Sequence, residues 1–150
     1  MNMKQISVKA RKALAEGNVR KANMILGDYY SLKGIVVMGR QVGRTLGFPT
    51  ANIKINENLP LFLKNGVYAV KIKYQNVFYN GMVNIGIRPT FEQHELTIEV
   101  NLFDFSGDLY GKELVLFFVD RIRDEIKFPT LDALKQQIMI DKQRIQELLT

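Results

Sequence analysis

Beyond Lys33 the apolar residues fall into short β-rich runs, which predict strands at Gly34–Met38, Ala51–Ile55, Val67–Tyr74, Val77–Ile85, Leu96–Phe105 and Leu114–Arg121. Turn chemistry separates them, at Asn65-Gly66, Gln75-Asn76, Arg88-Pro89 and Ser106-Gly107-Asp108, and Tyr74–Val77 reads as a hairpin. Ahead of Lys33 the period is helical: Ala10, Ala13 and Leu14 form a stripe, Glu16-Gly17-Asn18 interrupts it, and Asn18 can cap a second helix through Val19, Ala22, Ile25 and Leu26 to Gly27. At the other end Pro129-Thr130 offers a helix start, followed by Leu131, Leu134, Ile138, Ile145 and Leu148 at helical spacing. The connection Asn56–Asn65 carries Leu59, Pro60, Leu61 and Phe62, and is expected to be a loop packed against the body. Six strands without intervening helices argue against a parallel doubly wound sheet. They predict an antiparallel barrel or sandwich with a helix outside it, and closure into a barrel would leave no edge unpaired.

Composition narrows the function classes. A chain of 150 residues with 47% apolar and 24% charged residues has the makings of one globular domain with a real core. The absence of cysteine excludes disulfides, thiolate metal sites and a cysteine nucleophile, and a single histidine, His94, excludes a histidine-rich metal centre. No apolar run approaches the roughly 20 residues of a membrane helix, and Met1–Lys12 lacks the apolar middle of a secretory signal, so a cytoplasmic protein without membrane partners is expected. The net charge is +6, but residues 1–27 carry six Lys/Arg against one Glu, whereas 28–150 carry fifteen basic and fourteen acidic residues. The basic excess belongs to the leader, which weakens a nucleic-acid function for the body.

Familiar catalytic motifs fail on inspection. Gly34 and Gly39 have phosphate-loop spacing, but Arg40-Gln41 follows instead of Lys and Ser/Thr. The segment Gly39–Gly47 is glycine-rich without the dinucleotide fingerprint. Phe103-Asp104-Phe105 lacks the glycine of the protein-kinase motif, and His94, in the polar stretch Glu92–Glu95, reads as a solvated loop residue. Two polar constellations remain. Thr50 and Asn52 are two apart at the start of a strand, so their oxygens point to one side while Ala51 and Ile53 point to the other. Two neutral oxygens suit a Mg²⁺ ion that arrives with its nucleotide, or equally a polar strand edge. In the strand Leu96–Phe103, Thr97, Glu99, Asn101 and Phe103 share the face opposite Leu96, Ile98, Val100 and Leu102. Glu99 there is either a general base in a cleft or a carboxylate on a solvated face.

A set of segments occurs in one order: Gly34–Gly39, Gly43-Arg-Thr-Leu-Gly-Phe-Pro-Thr-Ala-Asn52, Asn65–Tyr68, Asn84-Ile-Gly-Ile-Arg-Pro-Thr90, Glu99 with Leu102–Phe105, Leu109–Gly111 and Ile122-Arg-Asp-Glu-Ile-Lys-Phe128. Together they resemble the riboflavin kinase module of bacterial bifunctional riboflavin kinase/FAD synthetases. The resemblance implies a mainly β fold, a six-stranded antiparallel Greek-key closed barrel with a C-terminal helix, over residues 30–150. Residues 1–29 resemble the helical segment that follows an adenylyltransferase domain in such proteins, so such a domain is an expected partner in a full-length protein. The implied reaction converts riboflavin and ATP to FMN and ADP, with Mg²⁺ or another divalent cation accompanying ATP. Glu99 matches the catalytic glutamate, Thr50 and Asn52 the metal ligands. Gly39, Arg44, Leu102, Asp104 and Tyr110 match the rest of the ATP site, and Arg123, Ile126 and Phe128 the flavin site. The loops Gly39–Gly47 and Arg121–Phe128 would cover the two substrates. Asn101 stands where relatives often have histidine, and Arg44 where some have lysine. No nucleotidyl-transfer motif of the His-x-Gly-His type is present, so no FAD synthesis by this chain is expected. The competing functions are a nucleic-acid-binding barrel, which would need a basic face studded with aromatic rings, and a flavin-binding regulator without turnover.

Overall fold

The computed structural model describes residues 6–37, 50–55, 62–89, 91 and 94–150. Met38, Gly39, Arg44 and the whole loop Gly39–Gly47, together with Leu59, Pro60 and Leu61, lie outside the described residues. Six strands, β1 (Ser31–Val37), β2 (Ala51–Ile55), β3 (Gly66–Tyr74), β4 (Val77–Pro89), β5 (His94–Leu102) and β6 (Glu113–Arg123), close into an antiparallel barrel in the order β1-β2-β5-β4-β3-β6. Closure removes every sheet edge, and of the barrel and the sandwich that the strand pattern allows, the barrel is observed, as the resemblance implied. The hairpin at Tyr74–Val77 is also found, with Gln75 and Asn76 both at positive φ (51° and 63°), as a twist-matched two-residue turn requires.

Several expected boundaries shift: β1 begins at Ser31, three residues before the expected Gly34, because its pairing with β6 starts there. Arg88-Pro89 ends β4 instead of forming a turn, and His94, expected in the connection, opens β5 opposite Pro89, because cross-strand pairing continues that far. The strand extended to Phe105 stops at Leu102: Phe103 N donates to Asn80 O, and Asp104 turns the chain at φ 58°. The aromatic alternation continued past a point where the backbone had already turned.

Strand alternation sorts the side chains into two cores. Leu32, Val36, Ile53, Tyr68, Val70, Ile72, Val83, Ile85, Ile98, Val100, Leu114, Leu116 and Phe118 fill the barrel interior. On the outer wall Val67, Ala69, Met82, Phe103 and Ile122 pack with Ile145, Ile138, Leu148 and Leu149 of the C-terminal helix, α3 (Leu131–Leu149). Thr130 caps α3 by accepting from Ala133 N, as its sequence implied, whereas Leu131 stays 55% exposed because it precedes the stretch that reaches the barrel wall.

The leader forms α1 (Val8–Ala15) and α2 (Val19–Leu26), capped by Ser7 and Asn18, and α2 ends at Gly27 in the left-handed region (φ 73°). Ala10, Ala13, Leu14, Val19 and Ala22 are buried in the same cluster as the barrel interior. Asn23 fastens α2 to the barrel: its Nδ2 donates to Phe118 O and its Oδ1 accepts from Tyr30 N, both at 2.8 Å. Removing both partners strands two part-buried backbone groups, so Asn23→Ala is expected to cost about 2–4 kcal/mol. A lower urea midpoint with unchanged slope would report it.

Candidate active site

One rung of the barrel brings several of the polar candidates together. Asn52 of β2 lies directly opposite Glu99 of β5, and Glu99 is opposite Asn84 of β4. Directly opposed residues in antiparallel strands share a face, with Cβ atoms about 4.5–5.5 Å apart. A half-buried carboxylate therefore sits between two half-buried carboxamides on the outer wall of the barrel. The rung continues from Asn84 to Val67 of β3 and then Arg123 of β6. At a strand spacing of about 4.8 Å, Asn52 and Arg123 are about 19 Å apart along the curved wall, with Glu99 one step from Asn52. Glu99 makes a contact within the protein and does not stand on an open solvated face; Asn101 and Phe103 on the same face are buried.

The other sequence-derived candidates fall around this rung. Thr50 immediately precedes β2 and is half-buried. The Tyr110 turn is pinned to β1 by Gly111 N to Val36 O and Val36 N to Lys112 O, both 2.9 Å. Tyr110, itself exposed, thus sits at the end of β1 from which Val37 pairs with Asn52. Leu102 packs instead against the interior cluster, three residues beyond Glu99 and on the opposite face, and Asp104 is exposed at its turn.

At the far end, the expected loop Arg121–Phe128 is partly strand: β6 runs to Arg123, and only the residues after it leave the sheet. The Arg123 guanidinium lies over the Phe128 ring, 5.8 Å from its centroid, and Ile126 is half exposed. A Cβ added at Gly86 would come within 2.3 Å of Glu125 Oε2, so the segment folds back onto β4 beside Asn84, and only glycine leaves room for that carboxylate. Arg121 donates to the Asp124 carboxylate (2.8 Å), which holds this acid below its usual range, and to Asn65 O.

Sequence reasoning overlooked Asn84, Gly86, Glu125 and Asp141, which the structure places beside the candidates. Alternation on β4 could have found Asn84, since it shares a face with Met82 and Gly86. Asp141 could have been found from the stripe Ile138, Asp141, Ile145 and Leu148, where one charged residue occupies an apolar position.

The sequence profile of the riboflavin kinase family matches residues 26–149. The chain belongs to the riboflavin kinase family. It is 47% identical over 143 residues to the bifunctional riboflavin kinase/FMN adenylyltransferase of Buchnera aphidicola, covering 93% of this chain and 45% of that protein. The chain thus spans about half the length of the curated relatives it matches. Among solved structures, riboflavin kinase from Trypanosoma brucei superposes with a TM-score of 0.56 at 28% identity, covering 79% of this chain and 78% of that one. A Streptococcus pneumoniae crystal structure named as a macrolide-efflux protein superposes with a TM-score of 0.88 at 37% identity, covering 94% of this chain and 46% of that one. Among the described residues, no helix of this riboflavin kinase family member is long and apolar enough to cross a membrane.

Proposed function

We propose that this chain phosphorylates riboflavin at the ribityl 5′-hydroxyl with ATP, giving FMN and ADP. The observation that carries this, beside family membership, is the direct opposition of Asn52 and Glu99. It puts a neutral oxygen donor suited to a nucleotide-borne cation one strand spacing from a carboxylate suited to an alcohol proton. Among the described residues no cluster of three or more His, Asp or Glu could hold a metal by itself. The oxygen donors Thr50 and Asn52 therefore fit a Mg²⁺ ion, or a similar divalent cation, that draws its remaining ligands from phosphate.

In this mechanism Thr50 and Asn52 hold the nucleotide end of the rung, with Gly39, Arg44, Asp104 and Tyr110 completing the ATP site, while Leu102 packs inward and supports the strand. A divalent cation bound with ATP supplies charge neutralisation on the phosphate oxygens. Glu99 Oε accepts the proton of the 5′-hydroxyl as that oxygen meets the γ-phosphorus, and the bond to the β–γ bridging oxygen breaks. Because the transferred group is loosely bonded at the transition state, alignment along the rung contributes more than nucleophile strength. At the other end Ile126 and Phe128 hold the flavin ring, Phe128 offering a flat apolar surface, and Arg123 supports the segment that carries them. In this assignment residues 30–150 are the kinase unit, and residues 1–29 are the segment that would join an adenylyltransferase domain.

Incubation with riboflavin and Mg-ATP, followed by chromatographic separation of the flavins, is expected to yield FMN and no FAD. Tight riboflavin binding without FMN would favour a regulator that has lost turnover. A nucleic-acid-binding barrel has one observation in its favour: Lys33, Lys71 and Lys73 surround Phe117 and the 59% exposed Phe78 on the arc of β1, β6, β3 and β4. Lys73 Nζ lies 6.0 Å from the Phe78 ring, but Lys33 is partnered by Glu113 at 3.9 Å. Oligonucleotide affinity falling steeply with salt would support that function.

A further inference from the structure

We infer that Asp141, on α3, is a positioning residue for the acceptor end of the site, acting through Arg123; this rests on the flavin-site assignment above. Asp141 and Arg123 form a buried pair whose side chains are 2% and 15% exposed. The contact is bidentate: Arg123 Nη2 donates to Asp141 Oδ2 at 2.8 Å, and Nε lies 3.0 and 3.1 Å from the two carboxylate oxygens. Gln137 Nε2, one turn earlier on α3, donates to Oδ1 at 3.0 Å. All these bonds fix one plane for the guanidinium.

A buried ion pair contributes little net stability, because desolvation of both charges offsets their attraction, and apolar residues of similar size often serve as well. The stripe Ile138, Ile145 and Leu148 would be continuous had Asp141 been leucine. What the charge provides that leucine cannot is a fixed orientation for Arg123. The same guanidinium donates from Nη1 to Asp124 O at 3.0 Å and covers the Phe128 ring. Arg123 therefore stands at the root of the segment 124–128 and holds both its first carbonyl and its last aromatic ring. With Nε, Nη1 and Nη2 all engaged inside the protein, Arg123 acts on the flavin end by shaping that segment. Through it, α3 sets where Glu125, Ile126 and Phe128 lie relative to Glu99.

The test compares the wild-type chain with Asp141→Asn, which keeps the shape of the side chain and leaves Arg123 in place. Hydrogen exchange of the amides 124–128 in the substrate-free protein is expected to quicken at least about tenfold, and kcat/KM for riboflavin to fall by about 10–100-fold, carried by KM, with KM for Mg-ATP unchanged. The double variant Arg123→Met with Asp141→Leu guards against a folding failure. It is expected to recover the thermal midpoint, as apolar replacements of buried pairs do, without recovering exchange protection of 124–128. Recovery of stability, protection and riboflavin KM together would show a merely structural pair and overturn the inference. So would a folded Asp141→Asn with wild-type exchange. Because exchange is measured without substrate, that arm decides the positioning role separately from whether the chain turns over riboflavin.

Discussion

Glu99→Gln is expected to lower the turnover of riboflavin phosphorylation by about 10²–10⁴-fold, the range that a positioned general base contributes. Glutamine matches glutamate in size and can keep its place between Asn52 and Asn84, but it cannot accept the proton of the 5′-hydroxyl. Ground-state affinity for riboflavin should therefore change only a few-fold, since the lost interaction develops as the hydroxyl oxygen meets phosphorus. Steady-state kinetics combined with quenching of flavin fluorescence separates the two quantities. Loss of kcat with retained binding supports the base. Near-normal kcat would remove Glu99 from the mechanism and leave the rung as a polar strip on the barrel wall. The packing gives a reason to expect a clean outcome: Ile98 and Val100, on either side of Glu99 in β5, supply the interior contacts, so the barrel does not rely on this carboxylate for its core.

Local rules carried the reading of the sequence a long way. A short β-rich run located β2 at Ala51–Ile55, and alternation set Ile98 and Val100 on the face opposite Glu99, because both are properties of one strand alone. Asn18, Gly27 and Thr130 stop or start helices for equally local reasons. What a single strand cannot reveal is its neighbour. The pairing of Asn52 with Glu99 and of Glu99 with Asn84 follows from barrel closure and register, which are decided by non-adjacent strands together. Arg123 illustrates the same limit. The resemblance implied a flavin contact for it, yet its guanidinium is held by Asp141, eighteen residues later in another element. Glu125 on Gly86 was hidden likewise, since the vacancy left by a glycine has meaning only once the segment that fills it is known.

The second large effect is expected at Asn52. Asn52→Ala should lower kcat/KM for Mg-ATP by at least the roughly 10–100-fold that loss of a supporting partner costs a metal site, with riboflavin binding little altered. Half-buried on the outer wall, Asn52 contributes no apolar surface to the interior, so its truncation should leave stability within about 0.5 kcal/mol. Its neighbour supplies the contrast. Ile53 points inward, is 6% exposed and touches Gly34, where an added Cβ would come within 2.2 Å of its Cγ2. Ile53→Ala should therefore cost about 2–5 kcal/mol through the cavity it opens, while sparing the nucleotide contacts of whatever fraction remains folded. Urea denaturation and Mg-ATP titration of the two variants thus predict opposite patterns at adjacent positions. If Asn52→Ala unfolds the barrel as Ile53→Ala does, Asn52 is a structural residue and the cation must be held from elsewhere. If it folds normally and loses Mg-ATP alone, the alternation of one short strand has separated core from catalysis.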